Sequence, residues 1–485
     1  MENEVITFVA ERLPLTRAEV KGSLTDREIR PFRKLKLKDS FRSHHAEFYL
    51  LRATYKSRDR PKPILIKKYV SPSGEDELAY RYQHDPSRLF AAEKANLDVI
   101  SRVVSPDLVP LLYGNNDPQR AVFMEYLGRE SLSHHLITEA NKALADSDYQ
   151  SKKKCMLIAG VKNLARFVGL CNAREEELNR VGGYYASFMS RKGAMESEEE
   201  DLFKTYLARI FYAKHPDCLS GESYRSSKVN QHLREKGIDL EDRVKALSNL
   251  RGTLNEQYWL QHGDYNVSHL FGKKVVDLED FGYHSWTRDL STFFMGGIDS
   301  ISLPDENELP YFLSLFLAYK SAFQNGNMDK VEEIDRTVKS GENIDVNYLE
   351  RMGAIDTRRQ YAEFMFSFFA SAIEEGIHLD ATLRRYSPDH LQTLISGLEG
   401  YTIGQMQECK RVYVERLFRN LGDVSPLMNL CGNPAGERDY FFGLGQLFKD
   451  VDTISIVQDT LDRIRVPNMA SSIYKALLPD ESTPK

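Results

Sequence analysis

The chain has 485 residues, 41% apolar and 28% charged, close to the soluble globular averages of about 45–50% and about 25%, which excludes disordered and fibrous classes. At roughly 150 residues per domain, that length makes about three domain-sized units or the lobes of one larger enzyme. A net charge of −6 supplies no basic surplus for nucleic acid or an anionic membrane, and five scattered cysteines (Cys155, Cys171, Cys218, Cys409, Cys431), none in a C-x-x-C pair, argue against a disulfide framework or a zinc ribbon.

The N-terminal segment carries Glu2 and Glu4 where a secretion signal needs basic residues, and no stretch approaches the roughly 20 apolar residues of a membrane span. The expectation is a reduced, cytoplasmic, soluble protein. Residues 1–29 read as an amphipathic lead-in. Strand-like runs follow at Lys34–Lys38, Phe48–Thr54 and Ile64–Val70, separated by polar turns such as Ser57–Pro63, which predicts an antiparallel meander. A helix is expected from Pro86 to about Val103, with Leu89, Leu97, Ile100 and Val104 on one face. Two more strands are expected at Leu108–Tyr113 and Ala121–Tyr126, split by a turn over Gly114–Pro118.

Beyond about residue 130 the periodicity becomes helical. Met156, Leu157, Val161, Leu164, Phe167, Val168 and Cys171 form one buried stripe; Phe203, Leu207, Ile210 and Phe211 a second; Tyr361, Phe364, Met365, Phe368 and Ala372 a third. The acidic run Glu196–Asp201 reads as a solvated helix start. One strand signal interrupts the helical half, a tight hairpin from Leu270-Phe271 through Gly272-Lys-Lys274 to Val275-Val276. The resulting plan is a sheet-rich lobe over 30–128, a helical lobe over 129–300 with an insertion and a loop region at 262–289, and a helical part over 301–485.

Chemistry concentrates in His262-Gly-Asp264-Tyr-Asn-Val-Ser-His269, in Val276-Asp277-Leu-Glu279-Asp280-Phe-Gly282 after the hairpin, and in Arg288-Asp289-Leu290. Phosphoryl transfer to a hydroxyl needs one carboxylate to orient the acceptor and take its proton, and metal ions to neutralise phosphate charge. A carboxylate before a hairpin and another at its end put both beside one cleft. The sequence between Leu89 and Leu97 carries a further signal. Glu93 lies four residues from each, so a carboxylate sits mid-face on an apolar helix, where it needs a cationic partner. The strand Ile64-Leu-Ile-Lys67-Lys68 offers one, and since alternate strand residues face opposite ways, only one of the two lysines can point inward.

In this order the motifs resemble the aminoglycoside phosphotransferase and choline kinase-like family, whose pattern is H-G-D-x-x-x-x-N, a hairpin, an apolar-apolar-Asp metal motif and a later Asp-Leu element. The resemblance implies an α+β, two-lobed protein-kinase-like fold, with a small antiparallel-sheet N-lobe and a large, mainly helical C-lobe with helical additions. It implies an ATP-dependent phosphotransferase acting on a small-molecule hydroxyl (a sugar, an amino alcohol or an aminoglycoside-like compound), with ATP and Mg²⁺ or Mn²⁺ as cofactors. Residue by residue, Asp264 matches the catalytic Asp, His262 its supporting His, Asp277 the metal Asp and Asp289 the Asp of the last element. Lys67 matches the phosphate-contacting lysine and Glu93 the glutamate that holds it. Glu125 and Tyr126, within Val122–Gly128, match the hinge whose backbone meets adenine. The literal Asp280-Phe-Gly282 spells the protein-kinase metal motif, but the apolar approach Val275-Val276 leads into Asp277, which is preferred. No segment resembles the Ala-Pro-Glu element of protein-substrate kinases.

Two departures bear on activity. His269 stands where the family keeps a metal-binding Asn; imidazole suits softer cations better than Mg²⁺, and the residue either ligates a metal or hydrogen-bonds. The segment Asp39–Glu47 has no glycine with which to cradle phosphates; Ser40, Arg42, Ser43, His44 and His45 either contact phosphate through side chains or form an ordinary polar turn. The alternative from another functional class is a nucleotide-binding pseudokinase acting as a regulatory or interaction module. Glu279 and Asp280 either attract a cationic acceptor or serve as surface or supporting groups.

Overall fold

The computed structural model describes residues 30–31, 46–53, 62–70, 86–118, 120–128, 130–142, 149–181, 258–295, 302–304, 308–358, 360, 361, 364 and 368. The lead-in, the expected strand at Lys34–Lys38, Ser40, Arg42, Ser43, the stripe from Phe203 to Phe211, the acidic run and all of 369–485 lie outside the described residues.

The first half builds one five-stranded antiparallel sheet. Its strands are β1 (Arg30–Pro31), β2 (Ala46–Ala53), β3 (Lys62–Tyr69), β4 (Leu112–Asn116) and β5 (Ala121–Glu125), in the order β1-β2-β3-β5-β4. β3 is central, pairing Lys67 with Phe48 on one side and Val122 on the other. Between β3 and β4 runs α1 (Pro86–Val99), closed by a π-type turn over Ile100–Val104. Pro at the first helical position suits a helix start, where its missing N–H costs nothing. The helix buries Leu89, Phe90, Glu93, Asn96 and Leu97, the face read from the sequence.

One expected strand is displaced. Leu108–Tyr113 was the predicted run, but the strand begins at Leu112 and takes in Gly114, Asn115 and Asn116, with the turn after it at Asp117. Leu108 and Val109 are apolar because they fill the core. The Leu108 carbonyl accepts instead from Val275 N at 2.9 Å, joining this segment to the later hairpin.

The second half is mostly helical: α2 (Leu132–Lys142), α3 (Tyr149–Ala173), α4 (Glu175–Arg180), α5 (Arg288–Met295), α6 (Leu309–Gln324), α7 (Met328–Ser340) and α8 (Val346–Met352). The predicted stripe on α3 is buried except for the partly buried Met156, and α3 packs along α6. Gly169 makes this close approach possible, since a Cβ there would lie 2.7 Å from the Lys320 carbonyl oxygen. Lys320 of α6 is itself buried, with its ammonium 3.5 Å from the ring centre of Trp259. Among the described residues no helix is long and apolar enough to cross a membrane.

The predicted hairpin is present as β7 (Leu270–Phe271) and β8 (Lys274–Val275). A second two-stranded sheet was not anticipated: β6 (Tyr258–Gln261) pairs antiparallel with β9 (Gly282–Ser285). Each of its strands is only four residues long, and twenty residues separate them, so neither carries a local hairpin signal. This small sheet brackets the hairpin and brings both ends of the chemical motif together. The whole is an α+β arrangement of small antiparallel sheets and helices around one contiguous core running from Tyr69 to Phe368.

Candidate active site

The loop after β6 is held from beneath by Asp289, which stands at the start of α5. Its carboxylate accepts from the backbone N–H of His262 at 2.7 Å and of Gly263 at 2.8 Å. Burial pushes the Asp289 carboxyl up to about 7, against the opposing pull of those N–H donors and of Arg288. Gln261 completes the clasp by accepting from Asp289 N at 3.0 Å. Gly263 is obligatory by geometry. Its φ is +87°, and a Cβ there would lie 2.4 Å from the Asp280 carbonyl oxygen.

His262 is fully buried. Its Nδ1 accepts from Asp264 N at 3.3 Å, so its hydrogen is on Nε2, which donates to the Val276 carbonyl at 2.8 Å. Both ring nitrogens are thus engaged with backbone, and the ring ties the Asp264 loop to the residue before Asp277. These contacts make His262 a brace for the loop.

Lys67 leaves β3 toward α1 and is the buried member of the lysine pair; Lys68 is half-buried. Its ammonium contacts three carboxylates: Glu93 at 2.6 Å, Asp277 at 2.6 Å and Glu279 at 2.8 Å. Burial alone lowers the Lys67 pKa, but Asp277, Glu279 and Glu93 more than reverse this and hold it well above the ordinary range. Tyr69, two residues along the same strand face, donates its hydroxyl to Glu93. Burial drives the Glu279 carboxyl well above its usual value, and it shares a hydrogen bond with Asp277. Burial would also raise Asp277, but Lys67 and then His269 outweigh it and leave the carboxyl well below the usual range.

Asp277 has a left-handed backbone, with φ 69° and ψ 59°. Few residues other than Gly accept this conformation, although Asp tolerates it better than most. The twist starts the 3₁₀ turn Leu278–Asp280, whose Leu278 carbonyl accepts from Asn96 of α1 at 2.6 Å. Asp277 and Glu279 thereby face the interior and Asp280 faces solvent.

On its other side Asp277 meets the Asp264 loop. His269 ends a 3₁₀ turn (Val267–His269) capped by Asn266, whose side chain accepts from Ser268 N at 3.0 Å. His269 Nδ1 lies 2.9 Å from the Asp264 carbonyl oxygen, an acceptor, which assigns the ring hydrogen to Nδ1. Nε2 faces Asp277 Oδ2, 3.3 Å away. The Asp264 carboxylate lies 3.9 Å from the same ring, and one donor atom from each of Asp264, His269 and Asp277 falls within 4.8 Å of the others. Asp264 and Asp277 keep 19% and 20% of their side-chain surface exposed, so this group opens outward.

Of the hinge residues, Glu125 ends β5, and its carboxylate pairs with Lys274 of the hairpin at 2.5 Å and accepts from Leu111 N at 3.2 Å. Its side chain couples the end of β5 to the hairpin that precedes Asp277. Tyr126 follows it, half-buried, where the chain leaves the sheet. Glu279, Tyr69 and Asn266 belong to the site without having been singled out for these places. For Tyr69 the two-residue strand period from Lys67 was the available signal.

No protein-family model matches the chain. No curated protein matches it either. Among solved structures, the chain is similar to a choline kinase from Cryptosporidium parvum Iowa II, with 9% identity over 91% of this chain and 100% of that chain at TM-score 0.48. It is also similar to a Plasmodium vivax ethanolamine kinase, with 12% identity over 76% of this chain and 79% of that chain at TM-score 0.38.

Proposed function

We propose that this protein is a phosphotransferase of protein-kinase-like, two-lobed architecture that passes a phosphoryl group from ATP to a hydroxyl of a small molecule. One observation carries the reading: Asp277 joins two groups of opposite character, with Lys67 and Glu93 on its buried side and His269 and Asp264 on its open side. A nucleotide phosphate chain needs a fixed cation and a metal-holding carboxylate within reach of each other, with an acceptor-orienting carboxylate alongside.

In this reading Lys67, fixed by Glu93, gives its charge to the α- and β-phosphates, and the main chain at Glu125 and Tyr126 meets the adenine. Asp264 orients the acceptor hydroxyl and takes its proton, and its partial exposure leaves it accessible for that role. His262 and Asp289 keep the loop's backbone in register. The donor set fits a divalent cation: two carboxylates and an imidazole whose outer nitrogen donates to a backbone carbonyl, the arrangement that orients a metal-binding histidine. Asp277 and His269 would hold the ion, which when bound neutralises phosphate charge.

The test is ADP release, with metal present, against a panel of sugars, amino alcohols and aminoglycosides, for the wild type and Asp264→Asn. Turnover by the wild type that survives unchanged in Asp264→Asn would sink the assigned role. The pseudokinase reading is favoured by one contact, the short His269–Asp277 approach, which an imidazolium would close as an ion pair. A thermal shift with ATP but no turnover on any acceptor supports that alternative.

A further inference from the structure

We infer that Lys274 and the Glu125 carboxylate are positioning residues for the nucleotide base: together they keep the Glu125 backbone carbonyl out of the sheet, ready to accept from a base that carries an amino donor. The inference rests on the phosphotransferase reading for the presence of a nucleotide, and goes beyond it in assigning base selection to two side chains.

The hydrogen bonds at the end of β5 carry it. Glu125 N donates to the Leu111 carbonyl at 2.9 Å. In a regular antiparallel pair that bond is returned, with Leu111 N donating to the Glu125 carbonyl. Here Leu111 N donates instead to Glu125 Oε2, at 3.2 Å. The carboxylate stands in for the carbonyl of its own residue. The neighbouring strand β3 does not claim that carbonyl either. Tyr69 N donates to the Arg120 carbonyl at 2.9 Å, and hydrogen-bonded pairs alternate along an antiparallel ladder, which makes Ile64 and Glu125 a pair that exchanges no backbone bonds.

Lys274 is what keeps the carboxylate there. Its ammonium meets the same Oε2 at 2.5 Å. The hairpin that carries it is fixed at two further points: Val275 N donates to the Leu108 carbonyl at 2.9 Å, and the Gly272 carbonyl accepts from Asn163 of α3 at 2.9 Å. Lys274 and Glu125 keep 20% and 30% of their side-chain surface exposed, and an ion pair so placed adds little stability. What it fixes is direction. Without the ammonium the carboxylate turns to water, Leu111 N–H returns to the Glu125 carbonyl, and that carbonyl is spent in the ladder. Base chemistry then follows. Adenine carries a 6-amino donor where guanine carries an oxygen acceptor, so a spared carbonyl favours adenine and repels guanine.

The experiment measures equilibrium binding of ATP, GTP and purine riboside triphosphate, which lacks the 6-amino group, to the full-length protein with Mg²⁺ present. The wild type should bind ATP about three- to tenfold more tightly than the purine analogue, the range for one hydrogen bond, and GTP more weakly still. Lys274→Met should weaken ATP by about that factor, leave the analogue nearly unchanged and so erase the preference, while Lys274→Arg keeps it. The charge-swapped double variant, Glu125→Lys with Lys274→Glu, separates positioning from a plain ionic latch. A lysine at 125 cannot accept from Leu111 N–H, so the swap should not restore the preference. Restoration by the swap, a preference intact in Lys274→Met, or a wild type that binds ATP and the analogue equally overturns the inference and leaves the phosphotransferase reading standing. Failure of the wild type to bind any of the three brings down both. Should the variants not fold, the comparison of ATP with the analogue on the unmodified protein still decides.

Discussion

Asp277 stands between two groups built from the same residue type that solve the burial of negative charge in different ways. On the inner side, Glu93, Glu279 and Asp277 surround Lys67, so the chain supplies its own cation. On the outer side, Asp264 and Asp277 face an imidazole, and both carboxylates reach solvent. The inner group is dry and largely neutralised, which suits a fixed anchor. The outer group is half-open and short of positive charge, which suits a site that draws a cation and a substrate from solution. Asp289 is a third solution, a buried carboxylate satisfied mainly by backbone N–H groups. Charge count alone distinguishes none of these roles; exposure and partner do.

The sharpest way to break this contrast is at Asp264. Asp264→Asn should lower metal-dependent ATP turnover by roughly 10²–10⁴-fold, the range for loss of a general base, while the melting temperature stays put; a matching loss of Tm would mean the outer group is structural after all. At the inner group the weight should fall the other way. Lys67→Met strands the buried carboxylates of Glu93 and Glu279 and the half-buried one of Asp277, and should cost about 3–5 kcal/mol of stability, as breaking a buried ion pair does. The double variant with Glu93→Gln should recover part of that loss. Chemical denaturation measures both, and a Lys67→Met protein as stable as the wild type would refute the anchor.

Asp289 gives a smaller, pH-dependent signal. With a folded-state pKa raised to about 7 from an unfolded value of about 4, the carboxyl contributes stability that is complete below about pH 4 and lost as pH rises to about 7. Tm measured across that window should slope downward from this group, and Asp289→Asn should flatten the slope. Smallest of all is a control remote from Asp277. Burial lowers the Lys320 pKa to about 7, so the folded state prefers the neutral amine, and stability should climb between about pH 7 and the unfolded value of about 10.4. Lys320→Met should remove that climb and raise Tm at neutral pH by about 2–4 °C, the shift of roughly 1 kcal/mol, without changing turnover.

Much of this site was legible as pattern. The four-residue spacing of Leu89, Glu93 and Leu97 announced a carboxylate on an apolar helix face, and strand alternation required one of Lys67 and Lys68 to point inward. The order of loop, hairpin and Asp277 located the open group. The β6–β9 sheet was not legible, because its strands are short and their pairing is non-local. Nor was the three-fold grip on Lys67. Which of Asp277, Glu279 and Asp280 turn inward depends on the left-handed backbone at Asp277, and no local rule requires that conformation of an aspartate.

The sequence by itself determined the chemical inventory: which carboxylates, lysines and histidines exist, and which are forced inward by the 3.6- and two-residue periods of helix and strand. Only the tertiary structure decided their company. It set Lys67 against residues more than two hundred positions away, sealed both nitrogens of His262 against backbone, and turned His269 Nε2 toward Asp277. The reason is physical: periodicity reports whether a side chain meets water, while the sign and strength of an electrostatic contact depend on distances of a few ångströms that only the packed chain establishes.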